Sequence, residues 1–121
     1  MLREYQGAPD PADRRTLRYE GAERSLEKAA TCCFDAGNHL IARLGLARAE
    51  SYSEIGSVLH SAGIVSEETR DFMRELADIR NRLVHAYWRI HPEEIEEKLP
   101  RLIPRFEAFA QEMEQFLSRA P

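Results

Sequence analysis

Residues 79–88 read Ile79-Arg80-Asn81-Arg82-Leu83-Val84-His85-Ala86-Tyr87-Trp88. The apolar residues around its start, Phe72, Leu76, Ile79 and Leu83, step by four, three and four, which is the spacing of one buried helical face. The stretch is therefore expected to close a core helix whose outer side carries Arg80, His85 and Tyr87 in the pattern Arg-x4-His-x-Tyr. With Ile79 at the centre of the core face and about 100° per residue, Arg80 lies about 100° round and Tyr87 about 80°, so these two share a flank. His85 lies about 140° from Arg80 and about 7.5 Å further along the axis. On a straight helix Arg80 and His85 do not converge on one atom. Either the helix loosens near Val84 or a second copy of the motif completes the site across a two-fold axis.

Outward from this stretch the helical period recurs in both directions. Ser66-Glu67-Glu68 supplies a start with acids in the first turn. Before it, Ser51-Tyr52-Ser53-Glu54 matches a capping box, in which Ser51 caps and Glu54 reaches back to its amide. Ile55, Val58 and Leu59 then form a buried stripe that Gly63 ends. Further upstream, Leu17, Leu26, Ala30, Cys33, Gly37, Leu40 and Leu44 mark one long helix from about Pro11 to Leu44. Asp10 can cap it, Pro11 suits its first position, Gly21 is a point where it can bend, and Gly45 fits a left-handed end. Downstream, His91-Pro92-Glu93-Glu94 restarts the chain. Ile95, Leu99, Leu102, Ile103, Phe106, Phe109, Met113 and Phe116 form the last stripe. Pro100 and Pro104 fall inside it and predict a kink or break near Leu99. No segment alternates with a period of two, so the expected class is all-α: an up-and-down bundle of four to five helices, the last kinked by prolines. Residues 1–9 read as an irregular arm and residues 10–121 as a single helical domain, the default for 121 residues.

Composition excludes several functions. A net charge of −4 and a pI near 5.6 argue against a surface that binds nucleic acid all over. A small basic groove remains open, because Arg74, Arg80, Arg82 and Arg89 fall close together while Glu93, Glu94, Glu96 and Glu97 crowd the next segment. A solvated charged surface is the plainer account of such runs. No apolar run is long enough to span a membrane, and residues 1–6 have no apolar core like a signal peptide's. Cys32 and Cys33 are adjacent on a helix, point about 100° apart and are poorly placed to bridge each other, so a reduced, cytoplasmic protein is expected. They also lack the spacing of a zinc or redox site, and no metal or cofactor is expected. His60 and His91 stand apart from any ligand set and read as surface residues, and Asn38-His39 as a buried polar pair. No Gly-rich phosphate loop is present.

The residue types at 80–88 suit RNA cleavage without a metal. A neutral His85 can take the proton of a ribose 2′-hydroxyl, and the guanidinium of Arg80 can grip the non-bridging phosphate oxygens as charge builds on them. Asn81 can orient the phosphate or His85, and Arg82 is expected to support RNA binding. Tyr87 and Trp88 offer flat surfaces for an unpaired base, although for Trp88 packing at the bundle end is the simpler role.

Arg80-Asn81-Arg82-Leu83-Val84-His85-Ala86-Tyr87-Trp88 resembles the signature of the HepT family, HEPN-domain ribonuclease toxins paired with a small nucleotidyltransferase antitoxin. Asp35-Ala36-Gly37-Asn38-His39-Leu40-Ile41-Ala42, Glu50-Ser51-Tyr52 and Ala62-Gly63-Ile64-Val65 follow that family's order, and the likeness runs from about Asp13 to about Leu117. The resemblance implies a HEPN-like helical bundle and a homodimer with a composite site at its interface. It further implies an MNT-type nucleotidyltransferase antitoxin that transfers AMP to Tyr87. Arg80 and His85 are then the catalytic residues, with Asn81, Arg82 and Tyr87 in support. Family members usually carry a helix before the one holding Asn38-His39. Only about ten residues precede that helix in this sequence, so a partner is expected to supply the wall, or the bundle lacks it. The alternative function is a non-catalytic HEPN dimerisation module that holds a nucleotidyltransferase.

Overall fold

The computed structural model describes residues 11–84 and 92–119, which form four helices: α1 (Pro11–Leu44), α2 (Tyr52–Ser61), α3 (Glu67–Val84) and α4 (Pro92–Arg119). No strand occurs among the described residues, in line with the all-α bundle expected. The irregular arm 1–9, His85, Tyr87, Trp88, Arg89 and His91 lie outside the described residues.

Two glycines set the corners at either end of α2. Gly45 has φ +68° and Gly63 φ +77°, a region that favours glycine. Behind Gly45 the amides of Gly45 and Leu46 donate to the carbonyls of Ala42 and Ile41. Behind Gly63 the amides of Gly63 and Ile64 donate to those of His60 and Leu59. Both are Schellman ends, which satisfy carbonyls that a helix terminus leaves unpaired. Ile64, just past the second corner, is buried and closes the turn over the core.

The start of α2 departs from the capping box. Ser51 makes no side-chain cap hydrogen bond, and its hydroxyl pairs with that of Ser53 at 2.9 Å. Glu54 does reach back, but it accepts from the amide of Glu50, one residue before the one expected. The cause is local: Ser53 competes for the Ser51 hydroxyl, so only the carboxylate half of the box forms. The start of α3 is capped more completely. The Thr69 amide donates to the Ser66 hydroxyl, and the Glu112 carboxylate of α4 accepts from the Ser66 amide, the Ser66 hydroxyl and the buried Thr69 hydroxyl. One acidic side chain thus serves the positive end of α3 and ties α4 to it.

All four helices feed one core. Leu26, Ala30, Cys33, Gly37 and Leu40 are buried as the α1 stripe requires, whereas Leu44 is exposed at the helix end. Phe34 and Ile41 join them, each one residue beside a stripe position, because α1 is covered on two sides. Two close approaches fix the inner helices. A Cβ on Gly37 would meet Ile55 Cγ2 at 2.7 Å, and one on Gly56 would meet Met73 Cβ at 3.0 Å and the Arg70 carbonyl oxygen at 3.2 Å.

In α4, Ile95, Leu102 and Phe109 are buried, while Ile103 is exposed. Of the kink or break expected near Leu99, the break does not occur, and one helix runs through Pro100 and Pro104. Glu96, Pro100 and Pro104 all face solvent, so water can satisfy the carbonyls of residues 96 and 100 that the prolines leave without a donor.

Candidate active site

Arg80 sits in the last two turns of α3, and three helices build its surroundings. Its guanidinium carbon lies over the Tyr52 ring, 4.7 Å from the centroid. Tyr52 is the first residue of α2, and its ring is also stacked on Phe34 of α1, with centroids 4.6 Å apart and planes within 3°. Phe34 is fully buried. The three side chains form a column, two parallel rings and a cation, whose base is fixed in the core and whose outer end is Arg80. A guanidinium this close to a ring face is attracted by the ring's quadrupole.

Arg80 also differs from its neighbours in charge pairing. Arg70 contacts Glu67 and Asp71, Arg74 lies 3.8 Å from Asp71 and donates to the Ser57 hydroxyl, and Arg82 makes a two-pronged pair with Glu94 at 2.8 and 3.1 Å. Among the described residues no carboxylate pairs with Arg80, and its Nε is buried without a hydrogen-bond partner. A buried donor without an acceptor costs about 1–3 kcal/mol and is uncommon, so such a group calls for a reason.

These pairings thin out the basic run. Arg74 is occupied by α3 itself, and Arg82 joins α3 to α4. The Glu94 carboxylate, with a smaller contribution from Asp78, holds the Arg82 guanidinium above its ordinary pKa against the opposing effect of burial. Asn81, between the two arginines, is exposed. The described part of the motif therefore places Arg80 as the arginine without a carboxylate, Asn81 beside it in solvent, and Arg82 in a structural pair. The described span of α3 stops at Val84, so His85 and Tyr87 follow it outside the described residues.

Two other expectations change. Asn38 and His39 are exposed rather than a buried pair, because α1 turns that side away from the bundle. Asn38 lines a cavity of about 280 Å³ together with Ala49, Glu50, Ser51, Tyr52 and Ile55, beside the aromatic column. His60 is half-buried, with Nδ1 3.1 Å from the Val65 carbonyl oxygen, and so it fastens the α2–α3 corner. No cluster of metal-ligating side chains occurs among the described residues.

Phe34, and the place of Tyr52 against Arg80, are not among the features expected from the sequence. Both had a signal: Tyr52 lies three residues before Ile55 and Phe34 four after Ala30, on the rows that already defined buried faces. The HepT-like ribonuclease family model matches residues 2–113. The chain belongs to that family. No curated protein and no solved structure matches it significantly. The HepT-like family is one of ribonucleases, so membership points to RNA as the substrate class. Among the described residues no helix of this HepT-like chain is long and apolar enough to cross a membrane.

Proposed function

We propose that the protein is a metal-independent endoribonuclease toxin of a HEPN/MNT pair, acting as a homodimer with Arg80 and His85 as catalytic residues. The observation that carries this reading is the state of Arg80. It lies within the family motif, is mounted on an aromatic column and has no carboxylate partner among the described residues. An arginine meant only to stabilise the fold would resemble Arg82, paired with an acid on the next helix. Val84 is exposed at the end of α3 next to His85, which supports a two-fold contact along this segment that brings two copies of the motif together.

In this reading the scissile phosphate lies against Arg80. His85, as the neutral imidazole, takes the 2′-hydroxyl proton while the 2′-oxygen attacks the adjacent phosphorus. Negative charge grows on the non-bridging oxygens, and the terminal guanidinium nitrogens hold it. The bond from phosphorus to the 5′-oxygen breaks, that oxygen takes up a proton, and the other product carries a 2′,3′-cyclic phosphate. Asn81, exposed to solvent, can donate to the phosphate, and Tyr87 supports RNA binding. Arg82 acts on the segment's shape through Glu94. A nucleotidyltransferase antitoxin transfers AMP to Tyr87, which places bulk and negative charge beside Arg80, so the modified protein neither holds nor cuts RNA.

The test is cleavage of a mixed RNA pool in EDTA by the wild type and by Arg80→Ala and His85→Ala. The expected result is full wild-type cleavage and its loss in both variants, with unchanged helical circular dichroism. Cleavage that EDTA abolishes and added metal restores would refute the metal-free mechanism. Wild-type protein that leaves RNA intact would favour the non-catalytic module. Co-expression with the partner should raise the intact mass by whole AMP units mapping to Tyr87. Tyr87→Phe should keep cutting in the partner's presence, and its complete silencing would mean that occlusion alone is the switch.

A further inference from the structure

We propose that Tyr52 is a positioning residue for this reaction, with Phe34 as its support. Through its ring face Tyr52 holds the plane of Arg80 and so directs the guanidinium's donors at the phosphate. The inference rests on the ribonuclease reading above and adds to it a residue far from the motif in sequence.

An arginine side chain is long, with many rotamers, and fixing it costs entropy that a contact must offset. Elsewhere on α3 acids do the holding: Arg70, Arg74 and Arg82 each contact a carboxylate. Such an acid would compete with phosphate for the same N–H groups and neutralise the charge needed for it. A ring face holds a guanidinium without using a single N–H, because the contact is made to the plane and the donors lie at the edge. Tyr52 supplies that face at 4.7 Å, and Phe34, stacked at 4.6 Å and fully buried, keeps the ring from turning. Among the described residues the buried Arg80 Nε has no acceptor and the terminal nitrogens are not among the buried unpartnered atoms, so those nitrogens are the donors left for the ligand. The three residues come from three helices, which makes the direction of Arg80 a property of the folded bundle rather than of the motif.

The experiment has two independent readouts. By NMR, the Nε–H signal of Arg80, identified by its loss in Arg80→Lys, should lie upfield of the other arginines and exchange slowly with water. It should keep that position in Tyr52→Phe and lose it in Tyr52→Leu. A signal without the ring shift in the wild type overturns the inference whether or not RNA is cut, and it does so even where Tyr52→Leu fails to fold. In single-turnover RNA cleavage, Tyr52→Phe should stay within about twofold of wild type, since the ring and not the hydroxyl makes the contact. Tyr52→Leu should lose about tenfold in the cleavage rate constant with its pH profile unmoved, the size expected for loss of one partly desolvated cation–ring contact. In an Arg80→Lys background, where the planar group is already gone, Tyr52→Leu should cost less than about twofold further. Absence of cleavage by the wild type removes the ribonuclease reading and this inference with it. Wild-type cleavage that survives Tyr52→Leu undiminished overturns this inference alone.

Discussion

Two arginines one residue apart on the same helix have opposite surroundings. Arg82 is locked to Glu94, and Arg80 lies on Tyr52 with a buried Nε that has no acceptor. Burial separates the two cysteines just as sharply. Cys32 is exposed, whereas Cys33 is buried, and removal from water together with the neighbouring Cys32 pushes its thiol up to about 12. Iodoacetamide at about pH 8 should therefore label Cys32 and spare Cys33 in the folded protein, as read by peptide mass. The same shift has a signed consequence for stability. The folded state keeps the Cys33 proton above the ordinary thiol pKa while the unfolded state loses it, so stability is intact below that value and falls as pH rises from there towards 12. Cys33→Val should flatten that alkaline slope in urea melts at several pH values, and an unchanged slope would place its origin in other groups. At this scale the sequence was half legible. The Arg80–His85 spacing was plain in the chain, but the partner of Arg80 sits twenty-eight residues upstream, and spacing within one helix says nothing of a ring that another helix brings over it.

Among the elements, α2 and α3 pack most closely, and Gly56 is the reason. A methyl at that position would meet the Arg70 carbonyl oxygen at 3.2 Å and Met73 Cβ at 3.0 Å, atoms of α3 that cannot swing aside. Gly56→Ala should therefore destabilise by about 1–3 kcal/mol as the helices part. Gly21→Ala, in a helix with nothing within 4 Å, should gain a few tenths to about 1 kcal/mol from helix propensity. Thermal melts of the pair test this directly. Equal effects would mean that the close approach relaxes freely. Helix positions were legible because their signals are local: Gly45 and Gly63 end helices where the stripes stop, and Pro11 begins one. Two outcomes turned on a competitor or a solvent face. Ser53 took the hydroxyl that should have capped α2, and the prolines of α4 fell on the exposed side, where an unpaired carbonyl costs little and the helix continues unbroken. The ion pairs of Glu75 with Arg101 and Lys98 could not have been read at all, since they join α3 to α4 across twenty-three to twenty-six residues.

For the whole molecule the proposed reaction raises the question whether Arg80 and His85 would work within one chain or across two. A helix continued straight through His85 would set them about 140° apart, which no rotamer would remove. Arg80 lies against Tyr52, which is stacked on the buried Phe34, and on the proposed positioning role this contact opposes a swing of Arg80 round α3. A two-fold partner can supply the second residue of each pair, as the exposed Val84 beside the motif permits. Mixed dimers decide the matter. In a dimer of one Arg80→Ala chain and one His85→Ala chain, a trans arrangement joins the intact Arg80 of one chain to the intact His85 of the other, and one of two sites survives. Random exchange makes half of the dimers mixed, so the mixture should recover about a quarter of wild-type cleavage from two inactive proteins. Recovery should follow the rate of subunit exchange and vanish when the parent dimers are crosslinked before mixing. A cis arrangement leaves every site lacking one residue, and the mixture then stays as inactive as its parts.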